Sequence, residues 1–179
     1  MGDKEAVDLR YPIGRLVWKG SSMAEERARS IEAIEEAPAR MRAAVKGLSA
    51  EQLAKPYREG GWTVAQVAHH VPDSHMNSYV RFKLALTEES PVIKPYEEAR
   101  WAELADTRVT PVETSLVLLE ALHGRWTALL RAMTEAEWGR SFVHPEMGAV
   151  RLDRALALYD WHGRHHVAHI TALRERMGW

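Results

Sequence analysis

The sequence predicts an all-α protein, a four-helix bundle with a long crossover connection. Three observations lead there. Apolar residues recur at steps of three and four in four separate stretches, as expected of helices that each bury one stripe. Apolar–polar alternation persists nowhere, so no strand is expected. The stretches are separated by helix-start signals and Gly/Pro breaks, with no Gly/Ser linker, low-complexity tract or internal repeat. A chain of 179 residues suffices for a sizeable core, so a single domain over residues 1–179 is expected.

Residues 1–20 read as an irregular arm. Arg10-Tyr11-Pro12-Ile13-Gly14 is turn-rich and Leu16-Val17-Trp18 is apolar, so the arm should pack on the body. The first helix should begin near Ser22, with Ser22 and Glu25 as a capping box. Its seam runs through Ile31, Ile34, Met41, Val45 and Leu48, and Pro38 should kink it by removing one backbone donor. Ser49 and Gln52 suggest a short second capped turn. Glu59-Gly60-Gly61-Trp62-Thr63 breaks the chain, and Thr63 with Gln66 opens a helix over residues 64–87. Two seams are available to it. One runs Val67, His70, Ser74, Asn77, Arg81 and Leu84; the other, through Val64, Val71 and Phe82, is more apolar. Periodicity does not choose between them, and Pro72 again predicts a kink.

Residues 88–109 form a long connection with a helical turn from Glu97 to Leu104, of a length suited to function or to crossing a bundle. The next helix starts at Thr110-Pro111-Val112-Glu113, with a cap and a proline at the first helical position. Its seam is Leu116, Leu119, His123, Trp126, Leu130 and Met133. Residues 139–151 read as a loop, and a last helix runs from about Leu152 to Met177.

Composition removes several function classes. The net charge is −1, so there is no basic footprint for nucleic acid or an acidic membrane surface. With no cysteine there is no disulfide, no thiolate nucleophile and no Cys-ligated zinc, which leaves His, Asp and Glu for any metal. The lack of cysteine also fits a reducing compartment. No apolar run reaches transmembrane length and MGDKEAVDLRYP has no signal-peptide core, so a cytoplasmic location is expected. Seven tryptophans are many for this length, and several are expected around one cavity.

Trp161-His162-Gly163-Arg164-His165-His166-Val167-Ala168-His169 holds four of the nine histidines. Leu152, Ala155, Tyr159, His162, His166, His169 and Leu173 form a 3-4-3-4 core seam, with Asp153, Asp160, Arg164 and Glu175 on the other side. Three histidines therefore stand where leucines are expected. Buried imidazole is costly unless hydrogen-bonded or coordinated, so the seam reads as a metal site, a polar core or a surface-facing helix. His162 and His166 lie at i and i+4, the spacing at which two imidazoles grip one ion. The helix over residues 64–87 offers His69 or His70. These are about 100° apart on the wheel, so only one is expected inside. If it is His70, Asn77 and Arg81 line the same cavity, and a buried Arg81 needs an anionic partner, as in a substrate pocket. His75 lies on a different face and reads as a surface or packing residue. His144, before a proline, is given no role. Three imidazoles without thiolate suit a borderline divalent ion, zinc first, then nickel, cobalt or iron, and three protein ligands leave a coordination position open.

The chain resembles the DinB/YfiT-like family over almost its whole length. The resemblance is carried by Tyr11-Pro12-Ile13-Gly14, PYREGGWTV (residues 56–64), DSHMNSYVRFKLALTEE (73–89), LHGRWTALLR (122–131), HHVAHIT (165–171) and the terminal RMGW. It implies a four-helix bundle, often a homodimer, with one metal held by His70, His162 and His166. It also implies a metal-dependent hydrolase or a bacillithiol-type S-transferase. Val71 followed by Pro72 departs from the family's apolar residue and alanine, so a kink is expected to displace His70 slightly.

Two enzyme chemistries fit, with the metal activating either a water or a thiol as nucleophile. No Glu lies between the paired histidines, so the general base of HExxH is missing, which weakens peptide hydrolysis and favours thiol transfer. Asp73, one turn after His70, is the nearest candidate base, or else a solvated helix carboxylate. Asn77 and Arg81 are the candidate anchors for an anionic group of a small-molecule substrate. His123 and His169 read as neighbours of the ligands or as packing. The other class is a non-catalytic metal- or ligand-binding stress protein.

Overall fold

Residues 8–179 are described by a computed structural model, so the first seven residues of the arm lie outside the described residues. Four long helices form the frame: α1 (Ala24–Val45), α3 (Val64–Thr87), α6 (Val112–Ala132) and α8 (Leu152–Met177). Short turns α2 (Ala50–Leu53), α4 (Glu98–Trp101), α5 (Ala105–Val109) and α7 (Glu135–Trp138) punctuate the connections. α1 lies beside α6 and α8, and α3 lies beside the same two. The first two long helices are therefore diagonal, and the chain crosses the bundle to get from one to the other.

The helix starts follow backbone chemistry. Thr63 and Gln66 exchange both capping-box bonds at α3, and Ser49 and Gln52 do so at α2. α1 starts later than its sequence suggests. Met23 is its N-cap residue, and the Met23 N–H donates to the Glu26 carboxylate (2.9 Å), while the Ser22 carbonyl accepts from Arg27 (2.6 Å). At α6 Pro111 itself is the cap residue, with no side-chain cap from Thr110. Pro38 and Pro72 lie inside continuous helices; neither ends its helix. α8 stops at Gly178, whose φ of 69° is the left-handed conformation that glycine adopts without a Cβ clash.

One expectation is corrected. The segment over residues 139–151 is a two-stranded hairpin, β1 (Ser141–His144) with antiparallel β2 (Gly148–Arg151), not a loop. Four-residue strands are too short to display a period of two, and β2 exposes three of its four residues. Asp153 is also displaced from its expected face. It is buried, bound by both ends of the Arg151 fork (3.1 and 2.9 Å) and by the Arg154 N–H.

The arm does pack on the body. The Trp161 indole N–H donates to the Gly14 carbonyl (3.1 Å), and Arg15 lies over Tyr11 at 3.9 Å. Two apolar cores fill the bundle. One gathers Ile31, Ile34, Phe82, Trp126, Leu130 and Leu156; the other gathers Met41, Val67, Val71, Leu119, Ile170 and Leu173. Between these two sets lie His75 in α3, His123 in α6 and His162, His165, His166 and His169 in α8, with Ala37 and Pro38 of α1 at the same level. A histidine layer thus lies between two hydrophobic cores. Among the described residues no helix is long and apolar enough to cross a membrane.

Candidate metal centre

α3 and α8 run side by side, and this brings His70 to the paired histidines of α8. One ring nitrogen each from His70, His162 and His166 lies within 4.8 Å of the others, and the Nε2 atoms of His70 and His162 are 3.3 Å apart. α3 turns His70 inward through Pro72 without a break. His70 and His166 are buried and His162 half-buried.

Burial holds the His70 imidazole down at about 4, far below its ordinary range. Burial first, and the neighbouring rings second, also hold His162 and His166 well below the ordinary imidazole range. The rings are therefore neutral at neutral pH, with lone pairs available, which is the protonation state a metal ligand requires. Three convergent neutral imidazoles with no thiolate fit a borderline divalent ion such as zinc.

The surroundings bring in Trp62, which lies outside every helical seam, together with the seam residues Tyr159, His123 and His169. Trp62 packs over the cluster, its ring 4.6 Å from His70 and 6.3 Å from His166. Tyr159 lies 5.5 Å from His162. His75 is fully buried, not on a surface. Its Nε2 is 3.1 Å from His162 Nδ1 and its Nδ1 is 2.9 Å from His123 Nε2. His123 Nδ1 in turn lies 2.5 Å from the Ile34 carbonyl of α1. On the other side His169 Nδ1 is 3.4 Å from His166 Nδ1, and its Nε2 is 3.2 Å from the Arg10 carbonyl of the arm. His69 and His70 are both buried, although only one was expected inside. His69 Nδ1 meets Ser115 Oγ of α6 at 2.7 Å, while His70 faces α8. α3 touches α6 on one side and α8 on the other, so two of its faces are internal. His144 closes the hairpin turn by accepting the Glu146 N–H at 3.2 Å.

Of the expected substrate-handling residues, Asp73 is half-buried. Burial, reinforced by Asp106, raises its carboxyl to about 6. Asn77 donates to the Asp73 carbonyl (2.9 Å) and lines a cavity of about 500 Å³ with Lys94, Tyr96, Arg100 and Trp101. Arg81 is half-buried and close enough to Glu98 and Tyr159 to favour their ionised forms, but it does not line that cavity. The Tyr96 hydroxyl is buried, with no hydrogen-bond partner among the described residues.

Residues 33–170 match the DinB superfamily. A protein of Bacillus mycoides strain KBAB4, provisionally named a metal-dependent hydrolase, is 54% identical over 172 residues, covering 96% of this chain and 99% of its own. YfiT of Bacillus subtilis strain 168, provisionally named in the same way, is 51% identical over 175 residues, covering 97% and 98%. The solved structure of YfiT, described as having an unusual four-helix bundle topology, superposes with a TM-score of 0.93 at 52% identity over 96% of this chain and 98% of its own. The four-helix bundle protein TT2238 superposes at 0.57 with 20% identity, over 82% of this chain and 98% of its own, a likeness of fold alone.

Proposed function

The chain belongs to the DinB superfamily, and on that premise we propose that it is a metal-dependent enzyme whose single divalent ion, zinc first, is held by His70, His162 and His166. The observation that carries the reading is the convergence of three neutral imidazoles, two buried and one half-buried, from two helices. A bound ion would supply Lewis acidity, promoting ionisation of a water or thiol nucleophile and polarising an electrophile.

The chain's own residues supply the rest. Trp62 and Tyr159 wall the cluster with apolar surface and keep bulk water out, which strengthens electrostatic effects inside. Asp73, with its carboxyl at about 6, accepts a proton from the nucleophile and is itself ionised at neutral pH. Asn77 and Tyr96 offer hydrogen bonds in the cavity, and Lys94 and Arg100 at its wall attract an anionic substrate group. Arg81 tunes Glu98 and Tyr159 beside it.

The preferred nucleophile is an exogenous low-molecular-weight thiol, because no glutamate follows His162 in the His-x-x-x-His pair to serve as the base of a peptidase. Hydrolysis is the second reading, supported by the names given to the relatives. The test is metal analysis of the purified protein, then turnover assays with several small thiols plus an electrophile, beside amide and ester substrates. Thiol-dependent conjugation that His162→Ala abolishes supports transfer. Amide or ester cleavage without thiol makes water the nucleophile. Metal-replete protein with no turnover in either assay would point to a binding protein.

A further inference from the structure

We propose that His75 and His123 are positioning residues which, together with the backbone carbonyl of Ile34, hold the His162 ring with its proton on Nδ1 and its Nε2 lone pair turned toward His70 and His166. The inference deepens the proposed function, since the lone pair matters only if an ion takes it.

The relay is anchored in α1. An α-helical carbonyl at position 34 would ordinarily accept the N–H of residue 38, but residue 38 is proline and has none. The Ile34 carbonyl is thus left open in the interior, and His123 Nδ1 meets it at 2.5 Å. A carbonyl only accepts, so His123 must carry its proton on Nδ1. A neutral imidazole has one donor and one acceptor, so His123 Nε2 accepts. Its partner at 2.9 Å, His75 Nδ1, must then be the donor. His75 Nε2 accepts in its turn, and the group facing it at 3.1 Å, His162 Nδ1, must donate. That leaves His162 Nε2 bare, 3.3 Å from His70 Nε2. No hydroxyl interrupts the sequence, so no member can both give and take and reverse its direction.

Packing keeps the rings in register. The His75 and His123 rings lie nearly parallel, with centroids 4.9 Å apart and planes at 19°, and Trp126 and Tyr159 both stand edge-on to His75 at 87°. Gly163 of α8 faces the His75 ring, and a Cβ built there would lie 3.6 Å from it, an ordinary contact distance. Reversing the tautomer of one ring would set two lone pairs or two protons against each other in a buried site, so all three switch together or not at all.

The test is long-range 1H–15N NMR of the histidine rings in the full-length protein, chelator-treated and then titrated with zinc. In metal-free protein His123, His75 and His162 should each be protonated on Nδ1. His123→Phe removes the link to Ile34. It should leave His162 as a mixture of tautomers and lower zinc affinity by roughly 10–100-fold. His123→Gln can donate to Ile34 through its amide nitrogen and accept from His75 through its oxygen, so it should restore both. An Nε2 proton on any of the three rings in the wild-type protein would overturn the proposal, and this measurement needs no variant to fold. So would a folded His123→Phe protein with wild-type zinc affinity and a single His162 tautomer. Protein that shows all three Nδ1 protons yet takes up no zinc would support the tautomer relay and overturn the metal reading instead.

Discussion

Replacing His123 by glutamine should make the metal-free protein less sensitive to acid. The His123 ring is 1% exposed, and burial lowers its pKa to about 4, although its bond to the Ile34 carbonyl pulls the other way. In the unfolded chain the same ring titrates at about 6.5. The unfolded state therefore binds the extra proton between these values, and stability falls as pH drops through that window. A gap of about 2.5 units corresponds to roughly 3 kcal/mol in all, of which about 2 kcal/mol is lost between about pH 7 and about pH 5. With so little exposure there is no solvent screening to discount. Glutamine keeps a donor and an acceptor at this position but does not titrate. The assay is urea unfolding of chelator-treated wild type and His123→Gln across this pH range. The wild type should lose about 2 kcal/mol more than the variant between the two ends. Parallel pH dependences, or a wild type that gains stability on acidification, would refute the argument that this ring is buried neutral.

Further predictions concern the helix interior, the ion and the candidate base. Gly163→Ala should stabilise the protein by up to about 1 kcal/mol by denaturant midpoint, because alanine favours the helix and its Cβ meets Ala37 and His75 at ordinary contact distances of 3.5 and 3.6 Å. Zinc at about 100 times its dissociation constant should stabilise wild type by about 2.7 kcal/mol in thermal unfolding, and His166→Ala should lose most of that gain. Asp73→Asn should remove an acidic limb near pH 6 from the kcat/KM profile; a limb that persists in the variant would assign it to another group.

Much of this molecule was legible in the sequence because its signals are local. The start of α3 follows from Thr63 with Gln66, a pair that satisfies orphan backbone donors wherever it occurs. The i, i+4 pair His162 and His166 also lies on one helix face by geometry alone. What escaped depends on neighbours. His75 is five residues from His70, so the wheel put it on another face, but that face is also internal because α3 is flanked by both α6 and α8. His69 and His70 are both buried for the same reason. The hairpin at residues 141–151 escaped because its strands are four residues long, and it is supported by the 91–93 segment, where the Val143 N–H donates to the Pro91 carbonyl at 2.8 Å. In the sequence Pro38 signals a kink. Its other consequence, an open Ile34 carbonyl facing His123, requires knowing which helix packs there. The 500 Å³ cavity depends on the fold of the long connection over residues 88–109, which no periodicity specifies.

The proposal that one ion is held by His70, His162 and His166 is tested most directly by X-ray absorption at the zinc edge, on protein loaded with one equivalent of zinc. Three imidazole nitrogens at about 2.0–2.1 Å, with the imidazole count falling in His70→Ala, are the expected result. A first shell without three imidazoles, or one that His70→Ala leaves unchanged, would contradict it.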